Sequence, residues 1–145
     1  MNFPYVMRWY AGGPEPVERL VSTSIELRRS FEIVTLETLY AEVVCEVDLV
    51  ALNPRPAQPP LIRFLAGHPA ASRVIIHGGG TAHFVRMPSC AEVSGEVLVV
   101  RRGHTTPADP RTMRVPADAL YELIDSICTR NRLPGRAELV HLRSD

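Results

Sequence analysis

Between Glu42 and Leu52 the chain alternates: Val43, Cys45, Val47, Leu49 and Ala51 point one way, and Glu42, Val44, Glu46, Asp48 and Val50 the other. A period of two over this length specifies a strand with one buried face, because successive side chains leave an extended backbone on opposite sides. The other face then carries the carboxylates of Glu42, Glu46 and Asp48 in line. Such a row repels itself unless arginines cross it from a neighbouring strand, water covers it, or a basic partner docks on it.

Further strands are expected in quick succession at 61–66, 73–77, 82–87 and 96–101, with Gly67-His68-Pro69, Gly78-Gly79-Gly80 and Arg102-Gly103 between or after them. Short glycine-rich connections of this kind favour an antiparallel meander. Upstream, 5–10 reads as a first strand closed by Ala11-Gly12-Gly13-Pro14, and 17–21 as its hairpin partner. Ser22, Thr23 and Ser24 offer capping oxygens for a short helix through Phe31, with Glu26 suited to its first turn.

Pro116 opens the clearest helix. Leu120, Leu123, Ile124, Ile127 and Cys128 recur at helical spacing, and Pro134-Gly135 stops the run before a last strand over 137–142. The proline-rich stretch from Asn53 to Pro60 is too short to separate two domains, so residues 1–145 are expected to form one. The fold class is α+β: an antiparallel sheet of about six or seven strands with one or two helices packed on one face.

The 16 basic residues balance 16 acidic ones, and none of the basic residues is lysine. The balance gives no global argument for nucleic acid or an anionic membrane. The missing lysine excludes a Schiff-base lysine, a lysine nucleophile and a Walker-type lysine. Charge is unevenly placed, however: residues 1–53 hold four arginines and eight acids, and the remainder twelve arginines and eight acids. The two ends neutralise each other within the fold or present an acidic face to a basic partner. Three dispersed cysteines, Cys45, Cys90 and Cys128, fit reduced thiols better than a disulfide framework. With no signal-peptide pattern and no long apolar run, a cytoplasmic location without membrane contact is expected.

Few catalytic candidates arise. Ile76-His77-Gly78-Gly79-Gly80 resembles the strand and glycine turn that supply oxyanion donors in lipase-like hydrolases, but the chain holds no G-x-S-x-G nucleophile elbow. His77 and His83 flank the triple glycine, and a hairpin there would bring them towards each other; their spacing lacks the compactness of recognised zinc sites, and neither metal nor cofactor is expected. The Arg101-Arg102-Gly103-His104 stretch with Arg111 and Arg114 is basic but has no interleaved aromatics, so nucleic acid is not expected as a partner. An enzyme or small-molecule-binding reading needs a pocket between helix and sheet, with Trp9, His77, His83 and Arg86 as its candidate lining.

The run Met113-Arg114-Val115-Pro116, the apolar stripe to Ile127, and Arg132-Leu133-Pro134-Gly135-Arg136 before a closing strand resemble the end of an actinobacterial polymorphic-toxin immunity family. The likeness covers mainly residues 70–143. That family often has a tryptophan in the closing strand, where this chain has His141-Leu142. The resemblance implies an α+β antitoxin that binds and neutralises a cognate toxin, of nuclease or deaminase class, without catalysis. Glu42, Glu46 and Asp48 are then the candidate docking residues.

Overall fold

The computed structural model describes residues 3–10 and 13–142 of the chain; Ala11 and Gly12 of the expected first turn lie outside the described residues. β1 (Tyr5–Trp9) and β2 (Val17–Val21) form an antiparallel hairpin that pairs Tyr5 with Val21 and Trp9 with Val17. Helix α1 (Ser24–Ala41) follows, capped by Thr23, whose hydroxyl accepts the Glu26 N–H at 3.2 Å. It runs ten residues past the expected end at Phe31.

The inward stripe of α1 is Leu27, Ser30, Val34 and Thr38. Two of these are polar and are satisfied locally: Ser30 Oγ accepts from Arg19 Nε at 3.0 Å, and Thr38 Oγ1 donates to the Thr35 carbonyl at 2.9 Å. Its outward face carries Ile25, Leu36, Leu39 and Tyr40, all exposed. Polar residues inward and apolar ones outward flatten the amphipathic signal by which such a helix is recognised.

The chain then enters β3 (Val44–Ala51), β4 (Leu61–Ala66), β6 (Val74–Gly78) and β7 (Thr81–Arg86), an antiparallel meander interrupted by the two-residue β5 (Ala71–Ser72). β8 (Val97–Arg101) and β9 (His104–Ala108) make a further hairpin. The two-residue β10 (Val115–Pro116) pairs with β5, so Pro116 closes a bridge and a 3-10 turn separates it from helix α2 (Leu120–Arg130). β11 (Glu138–His141) ends the described chain against β7.

Among the described residues the main sheet has nine strands, ordered β11-β7-β6-β4-β3-β1-β2, with β8 on β3 and β9 on β8. It is larger than the expected six or seven because all eight segments read as strands enter one sheet, and 104–108 adds a ninth that its Thr-Thr-Pro content did not announce. One pairing departs from the antiparallel rule: β8 runs parallel to β3, setting Val99 beside Val44 and Val100 beside Cys45, past the end of β1. The fold is α+β, with both helices packed against the sheet.

The principal core lies between that helical layer and the sheet, where Trp9, Tyr5, Met7, Leu49, Ile62 and Phe64 meet Leu27, Val34, Leu123 and Ile124. Truncating a fully buried aromatic such as Trp9 to alanine would cost roughly 3–5 kcal/mol. A second cluster of Leu65, Ala71, Cys90, Val97, Val99, Ala108 and Met113 holds the β8–β9 hairpin in place. Gly67 joins the layers: its φ is +103°, and a Cβ there would stand 2.3 Å from the Val43 carbonyl oxygen and 2.9 Å from Thr38 Cβ. Only glycine admits the turn after α1 so close to the end of β4.

Candidate functional site

The alternation of β3 sends Cys45, Val47 and Leu49 into the core and Glu46 and Asp48 to the opposite face. Glu42 is not on that row. It is the C-cap of α1, in the left-handed conformation at φ 54°. The row that does form alternates in sign across four neighbouring strands, as Glu18, Arg8, Asp48 and Arg63. Arg8 Nε lies 3.0 Å from Glu18 Oε1, and Arg63 donates to both Asp48 oxygens at 2.7 and 3.3 Å.

Glu46 is enclosed further. Its side chain is 8% exposed and meets Arg63, Arg73 and Arg101 at 3.0, 3.1 and 3.2 Å. Desolvation works against the Arg63 cation, yet the hydrogen bond to Asp48 and the charges of Asp48 and Glu46 outweigh it and raise its pKa. For Arg73 burial prevails and lowers the pKa, with Glu46 opposing. This face is therefore a charge-compensated lattice, and Glu46 and Asp48 are already paired from within. Of the three candidate docking carboxylates, Glu42 alone is exposed and outside any ion pair among the described residues.

Of the candidate pocket residues Trp9, His77, His83 and Arg86, the two histidines border one cleft at the β6–β7 turn, and Trp9 and Arg86 do not. Trp9 is fully buried in the core, its indole N–H donating to Glu37 Oε2. Arg86 is bound to Glu138 on β11. The β6–β7 register places His83 opposite Ile76 and His77 opposite Ala82, so the two imidazoles leave the hairpin from opposite faces. His83 instead meets the His141 ring, with centroids 5.2 Å apart. His77 has its pKa lowered by burial and by the nearby Arg63 charge, against Asp48 and Glu46, and its Nε2 is buried without a hydrogen-bond partner among the described residues. No group of three or more His, Cys, Asp or Glu among the described residues is placed to hold a metal ion.

The basic stretch is also divided: Arg101 turns to Glu46, and Arg111 is bound at 3.0 Å to Asp109, the N-cap of its own turn. Cys45 and Cys128 are buried thiols, each pushed up to about 12 by desolvation, as befits inert core residues.

What the structure does gather lies around Glu42. Because β8 and β9 extend the sheet past β1, and α1 stops at Ala41, Leu98 and Val100 face the helical side with no helix above them. The result is an open groove of about 580 Å³, bordered by Leu39, Glu42, Val43, Leu98 and Val100. Leu39 is 71% exposed, and Leu36 and Tyr40 stand beside it on α1 at spacings of three, four and one. The last turn of α1 carries no basic residue, so Glu42 and the helix's carbonyl end make this rim negative.

Comparison with protein-family models, with curated proteins and with solved structures gave no match to this chain. No helix among the described residues is long and apolar enough to cross a membrane. Of the groove residues the sequence offers Glu42 as a candidate, whereas Leu39 is hidden by the expected helix end at Phe31. With 32–41 read as helix, Leu36, Leu39 and Tyr40 fall on one outward strip, and an apolar strip away from the core is a signal of contact.

Proposed function

We propose that this chain is a protein-binding module that docks its partner on the α1–β8 groove. The partner is a cognate toxin of nuclease or deaminase class, as the C-terminal resemblance implies, and the module neutralises it by occlusion rather than catalysis. The observation that carries the reading is exposed Leu39 lining a negatively rimmed groove with Leu98, with Leu36 and Tyr40 exposed beside it on α1. An apolar centre of this kind supplies affinity, and tyrosine is among the residues that dominate measured interfaces. A nucleic-acid-processing toxin carries a basic surface for phosphates, which the Glu42 rim complements.

The test compares tagged wild type with a Leu39→Asp/Tyr40→Asp variant in the host lysate, followed by an activity assay of whatever is captured. The reading expects one stoichiometric partner with wild type, inhibition of that partner's hydrolytic activity, and loss of capture with the variant. At a hot-spot position the loss is about 2 kcal/mol or more, roughly thirtyfold in Kd. Equal capture by both proteins, or a partner whose activity is untouched, overturns it.

A further inference from the structure

A second cleft shares none of the groove's lining. It opens where α2 ends: Ile76, His83 and Leu139 form its floor, Ile127 and Leu133 one wall, and the loop 57–60 the other, enclosing about 590 Å³. That volume is within the range of small-molecule sites, which are mainly apolar with a few placed polar groups. The walls are fixed to each other. Asn131, the left-handed cap of α2, donates from Nδ2 to the Ala57 carbonyl at 3.0 Å, and Ser126 Oγ donates to the Arg132 carbonyl at 2.9 Å.

The lining of this cleft carries a single formal charge, and it is positive. No carboxylate lines it, and Arg132 does. Arg130 on the last turn of α2 and Arg136 on the turn into β11 flank it in sequence, and none of the three arginines has an ion pair among the described residues. The carbonyl end of α2 opposes an anion, but with an effective charge of only about −0.5. The full charge of Arg132, which lines the cleft, outweighs it.

We propose that this cleft binds a small amphipathic monoanion, a carboxylate on an apolar body of roughly a dozen non-hydrogen atoms. The body lies against Ile76, Ile127, Leu133 and Leu139, and the carboxylate meets the Arg132 guanidinium at the mouth. Arginine suits this role because its planar fork matches a carboxylate and it stays charged at any physiological pH. The proposal does not depend on the protein-docking reading.

The experiment is a fluorescence titration of the purified protein with anilinonaphthalene sulfonate, itself an apolar monoanion, followed by displacement with decanoate. The expected result is one saturable, displaceable site. Arg132→Glu should weaken decanoate by about tenfold or more, and decanol should compete at least about tenfold less well than decanoate. Leu139→Trp, at a half-exposed position, should fill the cleft and abolish binding while circular dichroism stays unchanged. Leu39→Asp/Tyr40→Asp, in the separate groove, should leave it intact. Absence of a displaceable site, indifference to Arg132→Glu and Leu139→Trp, equal binding of decanol, or loss of binding in the groove variant overturns the proposal.

Discussion

Replacing Glu46 by glutamine tests whether the charged face is a structural lattice. The side chain keeps its shape but loses its charge, and three arginines lose a shared partner. They do not lose equally. Arg63 retains both oxygens of Asp48. Arg101, 42% exposed, can turn to water. Arg73 is 18% exposed, and Glu46 is its one ion-pair partner among the described residues. Removing one member of a buried pair costs roughly 3–5 kcal/mol, and with most of the strain on a single cation the low end applies, about 3 kcal/mol. For a domain of this size that is about 9 °C in Tm. The assay is urea unfolding of Glu46→Gln, Arg73→Met and the double variant. Arg73→Met alone should cost about 1 kcal/mol, since Glu46 keeps two arginines, and the double variant should recover at least about 1.5 kcal/mol of the Glu46→Gln loss. A loss below about 1 kcal/mol for Glu46→Gln, or strict additivity in the cycle, would refute the reasoning.

Gly67→Ala should destabilise by about 3 kcal/mol or more, because the new methyl meets backbone at 2.3 Å and the residue keeps a φ of +103°; thermal unfolding reads it directly. Stability should fall as pH rises above 9. Burial pushes Cys45 and Cys128 from 9.0, and Tyr5 from 10.0, up to about 12, so the unfolded chain releases these protons first and gains stability over that window. Urea midpoints between pH 8 and 11 check this, and a flat profile counts against it. The same shifts leave on the order of 10⁻⁴ of the Cys45 and Cys128 thiols ionised at pH 8, so iodoacetamide should label them only after unfolding. Leu39→Asp/Tyr40→Asp should move stability by less than about 0.5 kcal/mol, since both side chains are exposed; a larger loss would make the groove part of the core's support.

The alternation of β3 and the stripe of α2 were legible because each places apolar residues at a single period, and both elements lie where the sequence puts them to within a few residues. The arginine-crossed sheet face was legible as one of the alternatives, since carboxylates in line require compensation. What eluded the sequence has one physical origin: contacts between distant segments. Nothing local shows that Ser30 would be bonded by Arg19, which permits a polar residue inside α1, or that β8 would settle beside β3 and leave Leu98 uncovered. His77 and His83 both border one cleft, but the face each imidazole takes could be resolved only by the hairpin register.

β3 has three neighbours: β1 and β8 share one of its edges, and β4 holds the other. A slip of one residue along β3 would turn Glu46 and Asp48 into the core and Cys45, Val47 and Leu49 out of it, against all three neighbours at once. No local adjustment at one strand could absorb that error. The central strand therefore acts as a proofreader of assembly: chains that pair out of step are rejected together rather than persisting as near-native isomers, and the groove and the cleft inherit a single, shared alignment.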